Sequence, residues 1–211
     1  MKPQRVEPRE SGLVGGGCAF DVCVYNPKVM LGPTLAGQLV TLAPLKPEHL
    51  EHYVEWFADP EVTQYLTLDL VFTLKQEEEW LDRISRSNSD VAWGIFAEGQ
   101  HVGGTGITQI NWRSRHATTG IIVGDKSWWG RGIASEAMAL RTRYAFEELG
   151  LEKVMTTVVE GNTASRRALE KVGYQTVGIY RHHEFRHNRW WDVWIGELLR
   201  EDWLARAYST P

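Results

Sequence analysis

From Gln38 to Leu45 polar and apolar positions alternate, with Leu39 and Thr41 set against Val40 and Leu42, the pattern of a first core strand. Beyond Pro47 the period changes. Leu50, Tyr53, Val54 and Phe57 recur at helical spacing, and Asp59-Pro60 closes that helix. A second helix is predicted over Leu74 to Ser85, with Trp80, Leu81 and Ile84 on one side. Strands then follow quickly. Val91 to Ala97 and His101 to Ile110 are joined by Glu98-Gly99-Gln100 as a hairpin turn, and Ala117 to Val123 comes next. Ile133 to Leu149 is a helix with a broad apolar face, made by Ile133, Ala137, Leu140 and Tyr144 beside Ala134, Met138, Ala145 and Leu149; Gly150 stops it. Lys153 to Val159 is a strand. Thr163 to Val172 is a helix with Ala164, Ala168 and Val172 at four-residue spacing. Tyr174 to Arg181 and Arg189 to Leu199 form a closing antiparallel pair, separated by a polar, His-rich loop.

These elements predict an α/β (α+β) fold: a central mixed, mostly antiparallel sheet of about seven strands flanked by about four helices, with one strand–helix–strand crossover. Residues 1–37 are set apart as an N-terminal extension, with a flexible break at Gly15-Gly16-Gly17, turns at Asn26-Pro27 and Gly32-Pro33, and a short strand from Phe20 to Tyr25. The domain proper covers 38–205, and 206–211 is a tail.

Composition narrows the setting. The charged fraction is 24% and the hydrophobic fraction 43%, which excludes general disorder. The two cysteines, Cys18 and Cys23, make neither a disulfide framework nor a zinc spacing, so no metal is expected and the setting is reducing and cytoplasmic. No apolar run spans a bilayer, and no secretory leader opens the chain. The net charge of −4 excludes a general nucleic-acid binder. Charge is uneven, however: eleven Asp/Glu stand against four Lys/Arg between Lys46 and Asp90, a local net of −7 beside +3 for the rest. That division suits a cationic substrate and an anionic cofactor, and it also suits two solvated helix faces.

The chemistry concentrates after Val123. Trp128-Trp129-Gly130-Arg131-Gly132-Ile133-Ala134 is a Gly-rich turn that opens a helix. Such a turn offers unpaired N–H groups at the positive end of the helix dipole, and its glycines let an anion approach the backbone. An ordinary Gly-containing helix start would read the same. So would part of a dinucleotide fingerprint, with Glu152 about 20 residues on as the ribose acid. The third glycine of that fingerprint is missing, Ser135 standing in its place, and no second βαβ half follows. His49 and His52, three apart on a helix, read as surface residues.

Three motifs together carry a resemblance over roughly Gln38 to Trp203: Trp129-Gly130-Arg131-Gly132-Ile133-Ala134 with Glu136-Ala137; Asn162-x-x-Ser165 followed by Glu170-Lys171-x-Gly173-Tyr174; and Arg189-Trp190-x-Asp192-Val193 leading into Leu198-Leu199-x-x-x-Trp203. In this order they resemble the GNAT superfamily of acetyl-CoA-dependent N-acetyltransferases, nearest the RimJ/RimL-like branch of protein N-terminal and spermidine acetyltransferases. The resemblance implies the GNAT acyl-CoA N-acyltransferase fold, with acetyl-CoA as cofactor and direct acetyl transfer to a primary amine, whether a protein N-terminus, a polyamine or another small cationic amine. The assembly would be a monomer or homodimer, without membrane or nucleic-acid partners. Trp128 to Ala134 would cradle the pyrophosphate. The strand ending Ile121-Ile122-Val123 would splay from Lys153 to Val159 and pair with the pantetheine arm, and an N–H near Val123 would polarise the thioester carbonyl. Asn162 is the cofactor-contacting Asn, or a plain N-cap. Many members place a Tyr seven residues after this Asn as the acid; here Leu169 stands there, and Ser165 takes over as thiol-positioning group or weak acid. Asp125 and Glu160, at the ends of the splayed strands, are the candidate bases, with His183 and Glu184 in the last loop also within reach of a substrate. Trp128 and Trp129 are wall and packing groups. A non-catalytic acyl-CoA-binding or sensing module would keep the same turn, and a nucleotide-cofactor oxidoreductase is the more distant alternative.

Overall fold

Glu98 and Gly99 take positive φ angles of 49° and 79°, the backbone that lets a two-residue turn match the twist of its flanking strands. The turn joins β3 (Val91–Ala97) to β4 (Gln100–Asn111). In this computed structural model residues 31–66, 71–186 and 188–208 are described. The strands Phe20 to Tyr25 and the break at Gly15-Gly16-Gly17, like Cys18 and Cys23, lie outside them.

The sheet has eight strands. β1 (Leu35–Ala36) and β2 (Thr41–Ala43) precede β3 and β4, and β5 (His116–Val123), β6 (Lys153–Val159), β7 (Gln175–Arg186) and β8 (Arg189–Leu199) complete the order β1-β2-β3-β4-β5-β6-β8-β7. Every pairing is antiparallel except β5 with β6. That crossover runs through α4 (Ile133–Glu147), and α5 (Thr163–Val172) packs beside it. α1 (Leu50–Ala58), the single turn α2 (Pro60–Thr63) and α3 (Leu74–Ser85) form a separate group, and α6 (Arg200–Tyr208) closes the chain. The main core lies between the sheet and α4, with Trp93, Ile95, Ile107, Ala137, Met138 and Phe146 buried. Leu45, Leu50 and Tyr53 bury a smaller cluster under α1, with Ile122 packed against it.

Sequence and structure differ at four places. The first core strand is Thr41–Ala43 rather than Gln38 to Leu45, because residues 38–40 give their N–H groups to a side chain. Glu136 of α4 accepts from Gln38, Leu39 and Val40 at 2.9, 2.6 and 2.7 Å. Residues 31–37, placed in the extension, are docked: Gly32 N donates to Ala92 O, Trp93 Nε1 donates to Pro33 O, and β1 pairs with β2. The expected His-rich loop is strand as far as Arg186. Glu184, Phe185 and Arg186 face Trp191, Trp190 and Arg189 across β8, and a bulge near His182 absorbs the extra residues. β7 is a sheet edge, exposed along nearly its whole length, so polar composition concealed it. Finally, α6 runs to Tyr208, three residues into the predicted tail and where no helix was expected.

Candidate active site

Pairing between β5 and β6 stops early. Only His116, Ala117 and Thr118 face partners, namely Lys153, Val154 and Met155. β5 stays on β4 as far as Val123, and β6 stays on β8 as far as Val159. The two strands therefore part, and side chains clasp the fork. Thr119 Oγ1 donates to Met155 O at 3.1 Å, and Thr156 Oγ1 donates to Thr119 O at 3.0 Å. Tyr174 Oη lies 3.1 Å from Thr119 Oγ1. Arg141, wholly buried on α4, donates to Thr105 Oγ1 and Gly120 O, each at 2.7 Å. Sequence reasoning missed this polar set, because its members are single residues far apart. The one available signal was Arg141 itself, a charge between Leu140 and Ala145 on an otherwise apolar helix face.

Past the fork, the N–H groups of Gly124 and Asp125 both donate to Val102 O, which makes Gly103–Val123 a non-hydrogen-bonded pair. Antiparallel alternation then turns the N–H groups of Ile121 and Val123 toward the gap. The Val123 carbonyl accepts from Trp129 Nε1 at 2.7 Å.

The chain next makes a single 3-10 turn, Lys126–Trp128, capped by Asp125, whose Oδ1 accepts from Ser127 N at 2.9 Å. Gly130 and Gly132 follow with φ of 74° and 86°, a region that strains any other side chain here. No side chain caps α4. Its first-turn N–H groups thus lack intrahelical partners, at the positive end of a 15-residue helix. Gly130, Arg131 and Gly132 are exposed, and a Cβ on Gly130 would meet nothing within 4 Å. The Arg131 guanidinium stacks 5.0 Å from the Trp128 ring. Trp128 is buried and Trp129 half-exposed. Free donors, a cation and open space fit a diphosphate.

A cavity of about 310 Å³ fills the gap between the strands, lined among others by Ile121, Arg141, Asn162, Ser165, His183 and Glu184. Asn162 caps α5, its Oδ1 accepting from Ser165 N at 3.2 Å. Leu169, where a tyrosine was the family expectation, is buried in the same lining. His183 and Glu184 reach the cavity from strand β7 rather than from a loop. The Trp128 to Ala134 turn and Val123 flank this cavity without lining it. Asp125 and Glu160 are also outside its lining: Asp125 is engaged as a cap, and Glu160 is exposed at the end of β6.

A larger cavity, of about 820 Å³, lies on the face covered by α1 and α3. Ala92, Gly106 and Gly120 stand in one row across three strands, with Gly104 in a row beside it, so the floor is almost bare of side chains. Tyr53, Phe57, Phe72 and Trp80 make the walls. The two cavities share Leu66 and, at the point where β5 leaves β6, Thr119, Gly120 and Ile121.

The electrostatics around this face are set by burial. Burial pushes the Tyr53 hydroxyl pKa up, with nearby Glu77 adding to the shift. Lys126 bonds Asp59 at 2.7 Å and Glu61 at 2.8 Å, which holds the Asp59 carboxyl below its usual range and ties the turn after β5 to α2. His49 and His52 are not surface residues. They pack on the buried His101, with His52 Nδ1 3.0 Å from His101 Nδ1, because α1 lies along the end of the β3–β4 hairpin. Burial lowers the His101 pKa to about 3 and also lowers that of His49.

Comparison with known proteins follows the same lines. A family profile for an acetyltransferase (GNAT) domain matches residues 40–175. Over 82% of the chain and 99% of its own length, an uncharacterised N-acetyltransferase, p20, of Bacillus licheniformis is 27% identical. An FsC-acetyl coenzyme A-N(2)-transacetylase of Aspergillus fumigatus is 33% identical, over 70% of this chain and 67% of its own. The crystal structure of spermidine N-acetyltransferase from Vibrio cholerae, in complex with CoA and spermine, superposes with a TM-score of 0.74 at 20% identity, over 80% of this chain and 99% of that one.

Proposed function

Because this chain belongs to the GNAT acetyltransferase family, and is thereby an N-acetyltransferase that uses acyl-CoA, we propose that it moves an acetyl group from acetyl-CoA directly onto a primary amine, in the manner of the RimJ/RimL-like branch. The observation that carries this reading is the pair of cavities that meet at Leu66, Thr119, Gly120 and Ile121, where β5 leaves β6. Acetyl-CoA supplies the activated acetyl group as a thioester. The uncapped start of α4, from Trp128 to Ala134, binds its diphosphate through backbone N–H groups, with Arg131 adding charge. The edge of β5 at Ile121 to Val123 receives the pantetheine arm as an added strand, and an N–H there polarises the thioester carbonyl. Asn162 fixes the start of α5, which holds Ser165 in the smaller cavity to position the thiol end. The amine arrives from the α1/α3 face and is held against the same point, which raises its effective concentration there. Of the two carboxylates at the strand ends, Glu160 has the open position from which to pass a proton to solvent.

The test is a pair of variants assayed for acetyl-CoA affinity and for thiol release over a panel of amines. Gly132→Glu sets a carboxylate where the diphosphate belongs and abolishes cofactor binding. Ser165→Ala retains acetyl-CoA affinity and loses turnover about 10-fold or more. Unchanged acetyl-CoA affinity in a folded Gly132→Glu protein would remove the turn from the reading. No thiol release on any amine would remove the reaction.

A further inference from the structure

The 820 Å³ cavity has a chemical character of its own. Its walls are aromatic and its floor is a row of glycines and Ala92. Into it comes one buried carboxylate, Glu77 in the first turn of α3, only 6% exposed. The capping box of α3 fixes this turn: Thr73 Oγ1 accepts from Gln76 N, and Gln76 Oε1 accepts from Thr73 N. Among the described residues, no cation bridges to Glu77, unlike Asp59, Glu61, Glu152 or Glu170, each of which has at least one. A carboxylate kept from water without a counter-charge is costly, and a protein gains by giving it one.

The remaining charged groups of the lining sit elsewhere. Glu79 and Arg83 are exposed at the rim. Asp90 is occupied: Oδ2 accepts from Ser87 Oγ at 2.6 Å and Oδ1 from Gln109 N at 3.0 Å. Tyr53, whose hydroxyl is packed over Gly104, shares the inner wall with Glu77. A visitor to the inner cavity therefore meets one carboxylate with no partner of its own, Glu77, beside aromatic walls, while Asp90 is already held by its neutral donors.

We infer that Glu77 receives the ammonium group of the acceptor before transfer, and that the acceptor is a small monoamine with a hydrophobic body. The inference rests on the amine-acetylating reading above and assigns it a substrate class. The aromatic walls of Tyr53, Phe57, Phe72 and Trp80 cover the apolar body and attract the cation through their ring faces. The bare glycine floor leads from this cage to Gly120 and Ile121, where the smaller cavity begins. A polyamine fits this chemistry poorly. It carries several charges, and the lining offers one buried carboxylate that is unengaged; a further ammonium would have to displace the Ser87 and Gln109 donors from Asp90 or stay at the rim.

Calorimetric titration of the full chain, without acetyl-CoA, tests this directly. The probes are 2-phenylethylamine, its uncharged counterpart 2-phenylethanol, spermidine, and a short peptide with a free N-terminus. The expected order places 2-phenylethylamine first, at least tenfold tighter than 2-phenylethanol. Glu77→Gln abolishes that difference, and Glu78→Gln, exposed and outside the lining, leaves it intact. The comparison of the two phenyl probes needs no variant, so it stands even if a substitution disturbs folding. Tighter binding of spermidine or the peptide, equal binding of the two phenyl probes, or no binding of 2-phenylethylamine overturns the inference. Thiol release on amines that is indifferent to Glu77→Gln would sink this assignment alone. Glu77-dependent amine binding with no thiol release would sink the reaction and leave the cage.

Discussion

His101 shows how one buried side chain sets a pH response. Its neighbours are His49, His52, Tyr53, Trp56 and Phe96, and none of them supplies a negative charge. Burial takes its pKa from 6.5 to about 3. The folded pKa is the lower one, so this contribution to stability is complete above pH 6.5 and is lost as pH falls toward 3. The unfolded chain binds a proton over that window that the folded chain refuses, at a cost of at most about 1.4 kcal/mol per pH unit. Denaturant unfolding of the wild type and His101→Phe, at pH 7, 6 and 5, should give curves that converge as pH drops. A gap that stays constant would show that His101 titrates normally in the fold.

Glu136 acts on a whole element. Its carboxylate gathers three successive N–H groups, from Gln38, Leu39 and Val40, and so pins the strand before β2 across the start of α4. Gly37 has to be glycine for this, since a Cβ there would lie 2.7 Å from the Glu136 carboxylate. Hydrogen bonds to a charged group are worth ~1.5–3 kcal/mol each, though part of this set is open to water. Glu136→Ala is expected to cost about 2–3 kcal/mol overall, or a fall in Tm of ~5–10 °C for a domain of this size. Hydrogen exchange at residues 38–40 should rise with it, and unchanged exchange would show that the β1–β2 edge holds by itself. The same contrast between local and distant causes explains what the sequence disclosed. α3 could be placed at Leu74–Ser85 because Thr73 and Gln76 mark its start within four residues. β8 could be placed at Arg189–Leu199 by its apolar run. Asn162 and Ser165 were legible because one cap unites them. Thr119, Thr156, Tyr174 and Arg141 were not, because they meet only after the sheet has formed. Glu77 was hidden in an acidic run whose other members, Glu78 and Glu79, face solvent.

At the scale of the molecule, the opening between β5 and β6 joins two cavities. One cavity opens beside α4 and α5, the other beneath α1 and α3, and they meet at Leu66, Thr119, Gly120 and Ile121. Two reactants that each occupy one of these cavities can be bound at the same time. Initial rates measured while both acetyl-CoA and the amine are varied should give intersecting double-reciprocal lines. Parallel lines would instead indicate that the acetyl group rests on the protein between two separate visits. The acidic segment from Lys46 to Asp90 contributes α1 to α3, so the surplus of negative charge lies on the side assigned to the amine. The tip of β5 imposes a further condition. Trp129 already holds one acceptor position of the Val123 oxygen, so the N–H is the freer group at the strand end. A visiting chain is thereby given a preferred heading, with its own oxygen foremost, because the same molecule laid in reverse would have to share the Val123 oxygen with Trp129.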